Sequence, residues 1–553
     1  MISREGGGWR GFRGARRVPG SGRGLSLGVA VAIAIAIGVA SSVSSCGDRS
    51  SATPDPADPN VLSVMAGSEV KDLEPLLPDL RKATGVTLVM HYSGTLEGAE
   101  ALDTGAAADV AWFSSGRYLS LLPVAGKRVV AQDKIMLSPV ILGVKQSVAD
   151  RFGWRDNPNV TWKDIEAKSA DGSFRFAMTN PAASNSGLTA LIGVASALSG
   201  SSDSLDAGTI DTAALRSFFK GQTVTAGSSG FLADSYVAQE GTVDGLVNYE
   251  SILLSLNAGG KLKDPLVLIY PKEGIVTADY PFMLLTAGKR AAYDKVVAWL
   301  RGPDVQNRIM LDTSRRPAIP GVTLDGRFPG QTLIELPYPA KLETIDRLIT
   351  TYLDEIRRPA SAVFVLDVSG SMGGDRLTNL QAAMRALTGT DKTLTGRFAR
   401  FRAHEAVTVI TFSDVVSDSR TFTIDDTDPD GPSMTEIRSY VDRLETGGGT
   451  AIYNALEAAY ESVATQQAAD PDRLYSIILL TDGENNQGMK DREFQADYRA
   501  LPDAVRAVRV YPVLFGDASR DEMGAIATLT GGTVFDATSA SLLTVFKQIR
   551  GYQ

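Results

Sequence analysis

The stretch FVLDVSGSMGGDRL, residues 364 to 377, joins an apolar run to a loop of small and polar residues. The apolar run ends at Asp367, and Ser369 and Ser371 follow it at alternate positions. A short apolar run that stops at turn-forming residues is typical of a buried strand. In open α/β sheets ligands bind beyond the carboxyl ends of the strands. Three chemistries use an acidic or hydroxyl-bearing loop at that place: phosphoryl transfer, nucleophilic hydrolysis and metal coordination.

The first two chemistries lack residues that they need. An aspartyl phosphotransferase carries a second carboxylate two residues after the first, where this chain has Ser369. A phosphate-binding loop needs a glycine-rich run with Lys before Ser or Thr, and GSMGGDR has no Lys. A serine hydrolase needs a base, but the histidine of this half of the chain, His404, precedes a strand. We expect His404 to be an exposed or capping residue, and the loop favours metal coordination.

Two further segments supply oxygen atoms for a metal ion. ETGGGTAIYNAL places Thr450 after a glycine loop, where the backbone can approach another loop closely. LLTDGENN places Asp482 at the end of the most apolar strand. Magnesium prefers oxygen ligands, and Ser and Thr hydroxyls can be among them. These residues therefore predict a divalent-metal site at one edge of a sheet.

The residues around these motifs alternate between strands, such as AVTVITFSD and VRVYPVLFGD, and helices. This alternation is typical of a parallel α/β sheet. Residues 358–553 closely resemble the von Willebrand factor A (VWA) domain, which implies a Rossmann-like, doubly wound α/β fold. The motifs of its metal-ion-dependent adhesion site (MIDAS) occur in the expected order. The resemblance assigns the site to Asp367, Ser369, Ser371, Thr450 and Asp482.

The resemblance also implies how such a site works. The three hydroxyls would ligate Mg²⁺ (or Mn²⁺ or Ca²⁺) directly, and the aspartates would act directly or through water. One coordination position stays open in the family, and a carboxylate of a partner protein commonly fills it. Because neutral hydroxyls leave the ion electrophilic, an incoming Asp or Glu carboxylate would be bound well. The alternative is a domain that uses the metal only for its own stability, or holds none.

The first half of the chain shows the same alternation of strands and helices. Short apolar runs such as VLSVMAG and VTLVMHYSG end in Gly, Ser or Asn, and helix-like stretches separate them. With ADVAWFSS, MLSPVILGVK and TNPAASNSGLTAL, they resemble the landmarks of bacterial extracellular solute-binding proteins across residues 61–320. The resemblance implies a two-lobed, periplasmic-binding-protein-like (type II) α/β domain. It places two crossing strands near 136–145 and 265–285 and a small solute in the cleft.

Hydroxyl-bearing turns at strand ends are the candidate solute contacts, because ligands sit beyond the carboxyl ends of strands. These turns carry Ser68, Ser93, Thr95, Ser114, Ser115, Ser184 and Ser186. A serine before a helix is commonly only a cap, so no single one is decisive. Tyr249 and Glu250 match a position where the family often places another cleft contact. Glu250 would oppose a bare anion, which leaves the charge of the ligand open.

The amino-terminal residues read as a targeting segment. Residues 1–45 combine a basic region, a short apolar region and small residues, as in a secretory signal peptide. The sole cysteine, Cys46, follows Val-Ser-Ser, which resembles the lipobox of bacterial lipoproteins and implies lipidation. An uncleaved anchor or a plain signal is the alternative, and each of these places the body outside the cytoplasm. The net charge is −9 despite this basic leader, and an acidic body of this kind excludes nucleic-acid binding.

Two segments without a clear apolar period separate these parts. Residues 46–60 are rich in Pro, Asp and Ser, and we expect a disordered tether there. Residues 321–357 contain a Pro- and Gly-rich linker followed by a helix-like stretch that connects the two halves.

Three functions fit these observations. The first is a non-catalytic cell-surface lipoprotein that binds protein partners at the metal site, in adhesion or a related role, and a small solute in the cleft. The second is the substrate-binding receptor of an ABC importer with an accessory VWA domain. The third, a metal-dependent hydrolase, is disfavoured because no base or nucleophile accompanies the metal residues.

Overall fold

A computed structural model of the protein describes residues 55–200, 203–330 and 332–553. The predicted signal peptide and Cys46 lie outside these residues. Within the described ranges, no helix combines the length and the apolar character that a membrane crossing requires.

The last residues of the predicted tether differ from the disordered chain that we expected. Residues 55–60 form turns against the first domain. The Lys289 ammonium group donates to the carbonyl oxygens of Pro56 (3.0 Å), Asp58 (2.7 Å) and Val61 (2.9 Å). Three carbonyl acceptors around one ammonium group fix this part of the chain, a long-range contact that composition does not reveal.

The first domain alternates strands with helices as predicted. Its strands are β1 (Val61–Gly67), β2 (Thr87–Ser93), β3 (Val110–Trp112), β4 (Ala131–Lys134), β5 (Met136–Lys145), β6 (Phe176–Thr179), β7 (Gln222–Ala226), β8 (Gly245–Tyr249), β9 (Leu266–Ile269), β10 (Val276–Ala278), β11 (Pro281–Leu284) and β12 (Arg316–Pro317). Its helices are α1 (Leu77–Thr84), α2 (Thr95–Asp103), α3 (Arg117–Leu121), α4 (Ala125–Arg128), α5 (Gln146–Phe152), α6 (Trp162–Ala170), α7 (Asn185–Leu198), α8 (Thr212–Phe219), α9 (Ser229–Ala238), α10 (Glu250–Ala258), α11 (Arg290–Leu300) and α12 (Pro303–Thr313). Short 3₁₀ segments occur at Ser68–Leu76, Ala207–Thr209 and Ala287–Lys289.

These strands form two sheets, one in each lobe. The first has the order β2-β1-β3-β11-β4, and β1 pairs in parallel with both β2 and β3. The second has the order β10-β5-β8-β6-β7, and β9 and β12 also pair with β5. The chain passes between the sheets from β4 to β5, from β10 to β11 and from β11 to β12. The first crossing directly precedes the predicted segment 136–145, and the second lies within 265–285. The two sheets confirm a two-lobed α/β domain.

The predicted linker packs against the first domain. Ile275 forms an isolated parallel bridge with Glu335, and Leu336 is buried in the core. Helix α13 (Leu342–Thr351) follows and ends in a π-helical turn, Tyr352–Ile356. The Tyr352 hydroxyl donates to Gln222 Oε1 at 3.0 Å. The segment therefore joins the two domains as packed structure rather than as a free spacer.

The second domain is a single sheet covered by helices. Its strands are β13 (Ala360–Asp367), β14 (Ala406–Phe412), β15 (Val416–Thr423), β16 (Leu474–Thr481), β17 (Arg509–Leu514) and β18 (Phe535–Asp536). Its helices are α14 (Asp375–Arg385), α15 (Leu394–Ala399), α16 (Pro432–Val441), α17 (Ile452–Ala469), α18 (Asp491–Ala500), α19 (Asp503–Arg506), α20 (Arg520–Thr530) and α21 (Leu542–Arg550). A 3₁₀ turn, Gly370–Met372, and a π-helical turn, Ala386–Thr390, complete it.

The sheet order β15-β14-β13-β16-β17-β18 places β13 near the centre. Successive residues of a strand point to opposite faces. Phe364 and Leu366 accordingly pack with α14, α16 and α21, whereas Val363 and Val365 pack with α17, α18 and α20. Burial on both faces explains why this strand reads as a continuous apolar run. All neighbours pair in parallel except β14 and β15, as in a doubly wound fold.

A buried ion cluster lies below the start of this sheet. The Glu405 side chain is 1% exposed and accepts from Arg550 Nη2 at 2.8 and 2.9 Å, and from Arg357 Nη2. The backbone N–H of Arg402 also donates to Glu405 Oε2 at 3.0 Å. Burial alone would raise the pKa of Glu405, but the guanidinium groups of Arg550 and Arg357 outweigh burial and lower it.

We expect Glu405→Gln to lower the free energy of unfolding at neutral pH by about 3–5 kcal/mol, because two guanidinium groups lose their buried partner. The folded-state pKa lies below the ordinary value of 4.5, so the contribution is fully present above that pH. It is lost as the pH falls through the folded-state pKa, and the difference between the two proteins should shrink there. Urea unfolding at pH 7, 5.5, 4 and 3.5 measures this.

The control is Glu436→Gln, which removes a half-exposed pair with Arg420. Exposed pairs contribute about 0–1 kcal/mol. An equal effect of the two substitutions at pH 7 would show that the Glu405 cluster contributes no more than a surface pair.

Candidate metal centre and solute cleft

Asp367 ends β13 and is fully buried. Its Oδ1 accepts from the backbone N–H of Ser369 at 2.7 Å, and its Oδ2 accepts from the Thr481 hydroxyl at 2.6 Å. A buried carboxylate is costly unless hydrogen bonds compensate it. These two donors therefore hold the carboxylate in place at the end of the strand.

The hydroxyl groups connect this loop to the loop after β16. Ser369 Oγ lies 3.1 Å from Ser371 Oγ, and the Ser371 hydroxyl donates to Asp482 Oδ1 at 2.7 Å. Ser369 and Asp482 are each 1% exposed, whereas Ser371 is exposed. The cluster is thus enclosed on the protein side and open to solvent at Ser371.

The glycine loop brings Thr450 to the same place. Gly370 N–H donates to Gly448 O at 3.1 Å, and Gly447 N–H donates to Val368 O at 2.9 Å. Gly448 has φ +80°, and a Cβ there would lie 2.7 Å from an Asp414 carboxylate oxygen. The Thr450 hydroxyl lies 3.6 Å from the place of a Cβ on Gly483, next to Asp482. The structure thus brings all five predicted residues to one edge of the sheet.

The two aspartates at this edge differ in their partners, because Asp367 accepts hydrogen bonds from neutral groups and Asp482 pairs with the Arg376 guanidinium. Burial raises the pKa of Asp367, and the negative charge of Asp482 adds to this, although hydrogen bonds from Thr481 and Ser369 oppose it. Arg376 donates to Asp482 and to Asp517 Oδ2, the latter at 2.7 Å.

Sequence reasoning missed the role of Arg376. It lies in the first turn of α14, five residues after Ser371, where a basic residue reads as an ordinary solvated side chain. The signal that could have found it is Gly516, which has φ +55° and whose Cβ would lie 2.9 Å from the guanidinium carbon. A glycine next to Asp517, three residues after the end of β17, leaves room for a bulky neighbour.

The donor set fits a hard divalent cation. Two carboxylates and three hydroxyls supply oxygen alone, which suits Mg²⁺, Mn²⁺ or Ca²⁺. Within the described part of the chain, no group of three or more His, Cys, Asp or Glu is arranged to hold a metal. A metal at this edge would therefore depend on Ser369, Ser371 and Thr450 as much as on the aspartates.

In the first domain, the predicted cleft hydroxyls hydrogen-bond with one another. Ser186 Oγ lies 3.1 Å from Ser184 Oγ, 2.8 Å from Thr179 Oγ1 and 2.7 Å from Ser229 Oγ. Ser184 and Ser186 are 5% and 1% exposed. They form a buried network at the start of α7.

A second network joins the two lobes. The Tyr249 hydroxyl, from β8 of the second lobe, donates to Ser114 Oγ of the first lobe at 3.0 Å. Asn185 Nδ2 donates to the same hydroxyl at 3.1 Å. Burial raises the pKa of Tyr249 well above its ordinary value, so it stays a neutral donor. The lobes are therefore closed on one another at this point.

The remaining predicted hydroxyls have different surroundings. Ser115 Oγ accepts from the backbone N–H of Arg117 at 3.3 Å, which is a local turn contact. Thr95 is 1% exposed, and its hydroxyl has no hydrogen-bond partner among the residues that the structure describes. Ser68 and Ser93 line a cavity of about 290 Å³ at the mouth of the cleft.

Glu250, which the sequence analysis predicts as a cleft contact, lies in a buried ion pair. Both of its oxygens accept from the Arg316 guanidinium at 2.7 Å, and the Tyr270 hydroxyl also donates to it. Glu250 is fully buried, and Arg316 is 8% exposed. The partner lies 66 residues away on β12, so the spacing around Glu250 could not reveal this pair.

We expect Glu250→Ala to lower the free energy of unfolding by about 3–5 kcal/mol, because it leaves the Arg316 charge buried and unpaired. The double variant Glu250→Leu/Arg316→Met should cost less than Glu250→Ala alone, since it leaves no unpaired charge. Asp294→Ala, which breaks an exposed pair with Arg290, is the matched control. Chemical denaturation of these three variants and of the unsubstituted protein measures the free energies of unfolding. Equal losses of unfolding free energy for Glu250→Ala and Asp294→Ala would contradict the structural role of Glu250.

Comparison with known proteins gives a match for each domain. Residues 62–310 match the family model of the bacterial extracellular solute-binding protein, and residues 362–548 match that of the von Willebrand factor type A domain. Curated relatives include an uncharacterized protein of Synechocystis sp., 27% identical over 203 residues, which are 35% of this chain and 41% of that protein. Inter-alpha-trypsin inhibitor heavy chain H2 of Mesocricetus auratus is 26% identical over 133 residues, which are 24% of this chain and 13% of that protein. The chain thus spans less than half the length of each relative.

Solved structures similar to part of the chain include periplasmic binding proteins. The binding protein AfuA of Actinobacillus pleuropneumoniae is 14% identical with a TM-score of 0.41, and the match covers 53% of this chain and 98% of that one. The sulfate-binding protein SubI of Mycobacterium tuberculosis is 17% identical with a TM-score of 0.38, over 52% and 96% of the two chains. The two-lobed topology and the sheet order described above agree with the two family models. The protein therefore combines a domain of the extracellular solute-binding protein family with a von Willebrand factor type A domain.

Proposed function

We propose that this protein is a non-catalytic, extracytoplasmic binding protein that captures a partner protein at a divalent cation. The observation that supports this most strongly is the convergence of three loops at the carboxyl edge of the second domain. They present two carboxylates and three hydroxyls, and the cluster opens to solvent at Ser371. The residues that would hold the cation are Asp367, Ser369, Ser371, Thr450 and Asp482.

The protein residues would orient such a cation while neutralising little of its charge. A bound cation would supply a Lewis-acidic centre that attracts a carboxylate. Asp367 is fixed by two hydrogen bonds, and Asp482 is already shared with Arg376. The Arg376 side chain is 31% exposed and offsets part of the negative charge of Asp482. This edge of the domain therefore suits an acidic partner residue.

The same surroundings support a role without catalysis. His404 is exposed and lies before β14, whose first residue, Ala406, pairs with Ser361 near the start of β13. It is therefore at the edge of the sheet opposite Asp367. A hydrolase would need a base within hydrogen-bond reach of the reacting atoms. We accordingly propose that binding at this edge leads to no chemical step.

The family match of the first domain supports an extracytoplasmic location and a small-molecule ligand. An extracellular family also supports the proposal that residues 1–45 direct export. We propose that lipid on Cys46 anchors the protein to the membrane and that the two-lobed domain holds a small solute.

We expect Mg²⁺ to raise the melting temperature of the second domain. At a Mg²⁺ concentration a hundred times the Kd, binding adds about 2.7 kcal/mol. For a domain of this size that corresponds to roughly 5–10 °C. Asp367→Ala should abolish the shift, whereas Asp503→Ala, at an exposed position on α19, should retain it. Differential scanning calorimetry with Mg²⁺ and with EDTA measures this, and an equal shift in Asp367→Ala would exclude the site.

Partner capture is tested by affinity isolation from envelope and surface extract. The bait is residues 46–553 with Cys46→Ser, with Mg²⁺, with EDTA, or with Asp367→Ala, and Asp503→Ala is the matched control. We expect at least one protein to be retained only by the metal-loaded bait and the control, and to be released by EDTA. If the same proteins are retained under all conditions, the metal has at most a structural role.

A further inference from the structure

The second domain contacts the second lobe of the solute-binding domain through its carboxyl-terminal residues. An ideal Cβ on Gly551 would lie 2.7 Å from the Ala183 Cβ, and Gly227 lies against the Tyr552 ring. The rings of Phe231 and Tyr552 are 4.9 Å apart. Ala183 and Gly227 follow strands β6 and β7. The contact therefore covers the strand ends where a solute would bind in this lobe.

Contact with α9 extends this interface. Arg509 Nη1 donates to Ser235 Oγ at 2.8 Å, and the Arg509 guanidinium lies 5.6 Å from the centre of the Phe231 ring. Ser235 is 4% exposed. The second lobe is therefore fixed to β17 as well as to the chain after α21.

The second domain contacts the first lobe through a different element, α15. The Glu100 carboxylate, on α2, accepts from the backbone N–H groups of Leu394 and Thr395, the latter at 3.0 Å. Phe398 is 6% exposed and lies within the apolar core of the first domain, with Leu394 packed against it. These contacts combine buried apolar area with hydrogen bonds to a charged group, each of which stabilises the docked arrangement.

The cavity at the mouth of the cleft lies between these contacts. It measures about 290 Å³, near the lower end of the range for small-molecule sites. The first lobe contributes Ser68 and Ser93, the second contributes Asn180 and Ser228, and the second domain contributes Gln548 and Tyr552. All three parts of the protein therefore enclose the place where a solute is expected.

We propose that the VWA domain controls access to the solute cleft by holding both lobes at once. Lobes that close over a ligand separate by hinge motion. Such motion would break either the α15 contact with the first lobe or the contact of Arg509 and Tyr552 with the second. A solute can thus enter or leave only when the VWA domain undocks. This control does not depend on the metal site, so it goes beyond the partner capture proposed above.

The test places a reporter cysteine in the cavity. The full chain carries Cys46→Ser and Ser93→Cys, and iodoacetamide measures access to the thiol. Gly227→Val separates the domains, because its Cβ would meet the Tyr552 ring at 2.5 Å. Gly230→Val is the matched control three residues away, since no other described part of the chain outside its own helix lies within 4 Å of its Cβ. We expect labelling to be about tenfold faster with Gly227→Val and unchanged with Gly230→Val.

A second measurement separates the domains from the opposite side of the contact and does not rely on the reporter. Gly551→Val, in the Cys46→Ser chain, places a Cβ only 2.7 Å from the Ala183 Cβ, too close for the docked arrangement. We expect faster hydrogen exchange at residues 180–184 and 226–229 in this variant than in the Cys46→Ser chain.

Two results would overturn the proposal. One is equal labelling of the Gly227→Val and Gly230→Val proteins with both folded, as judged by near-ultraviolet circular dichroism. The other is unchanged exchange in these loops in a folded Gly551→Val protein. If Gly227→Val does not fold, Gly551→Val decides. Either result leaves metal-dependent capture at Asp367 unaffected, so the two proposals fail separately.

Discussion

The structure depends most on one constraint, which is that a carboxylate at the end of a buried central strand must be satisfied from neighbouring loops. Asp367 has no solvent to hydrate it, so the Ser369 amide and the Thr481 hydroxyl hold its two oxygens. Because Thr481 ends β16, which pairs in parallel with β13, the following residue, Asp482, arrives at the same edge. The Ser371 hydroxyl then connects the two loops. Four of the five predicted metal ligands, Asp367, Ser369, Ser371 and Asp482, are therefore held together by the register of two adjacent strands.

That register explains why the sequence can place the predicted metal ligands at one edge of a sheet, whereas it does not show which of the predicted cleft residues face the cavity. A carboxylate or hydroxyl directly after an apolar strand has a definite place in a parallel sheet, so local sequence locates it. The predicted cleft serines also follow strands, but some of them hydrogen-bond with one another and others line the cavity. Whether Ser186 faces a solute or Ser229, 43 residues away, depends on how two loops pack. Glu250 shows the same limit, since its neutralising partner lies on a strand formed much later in the chain.

The contact between the domains cannot be predicted from local sequence patterns. Glu100 reads as a solvent-facing residue of α2, yet its carboxylate caps a helix nearly 300 residues away. Phe398 reads as part of the second domain's core, but it packs into that of the first. Each contact joins two surfaces, and the sequence pattern of either domain alone does not mark its surface as an interface. The linker is consistent with this arrangement, because Tyr352 and Leu336 bury it on the first domain and leave little freedom between the two bodies.

The orientation of the second domain determines which of its edges is free. Arg509 is the first residue of β17, and the Glu405 cluster lies below the starts of β13 and β14. The docked side of the domain therefore includes the amino ends of its strands and the last helix. The carboxyl ends, with Asp367 and Asp482, belong to the opposite edge of the sheet. The proposed capture of a partner and the proposed control of the cleft would therefore use different ends of one sheet, so a partner bound at the carboxyl ends would leave the docked edge covered.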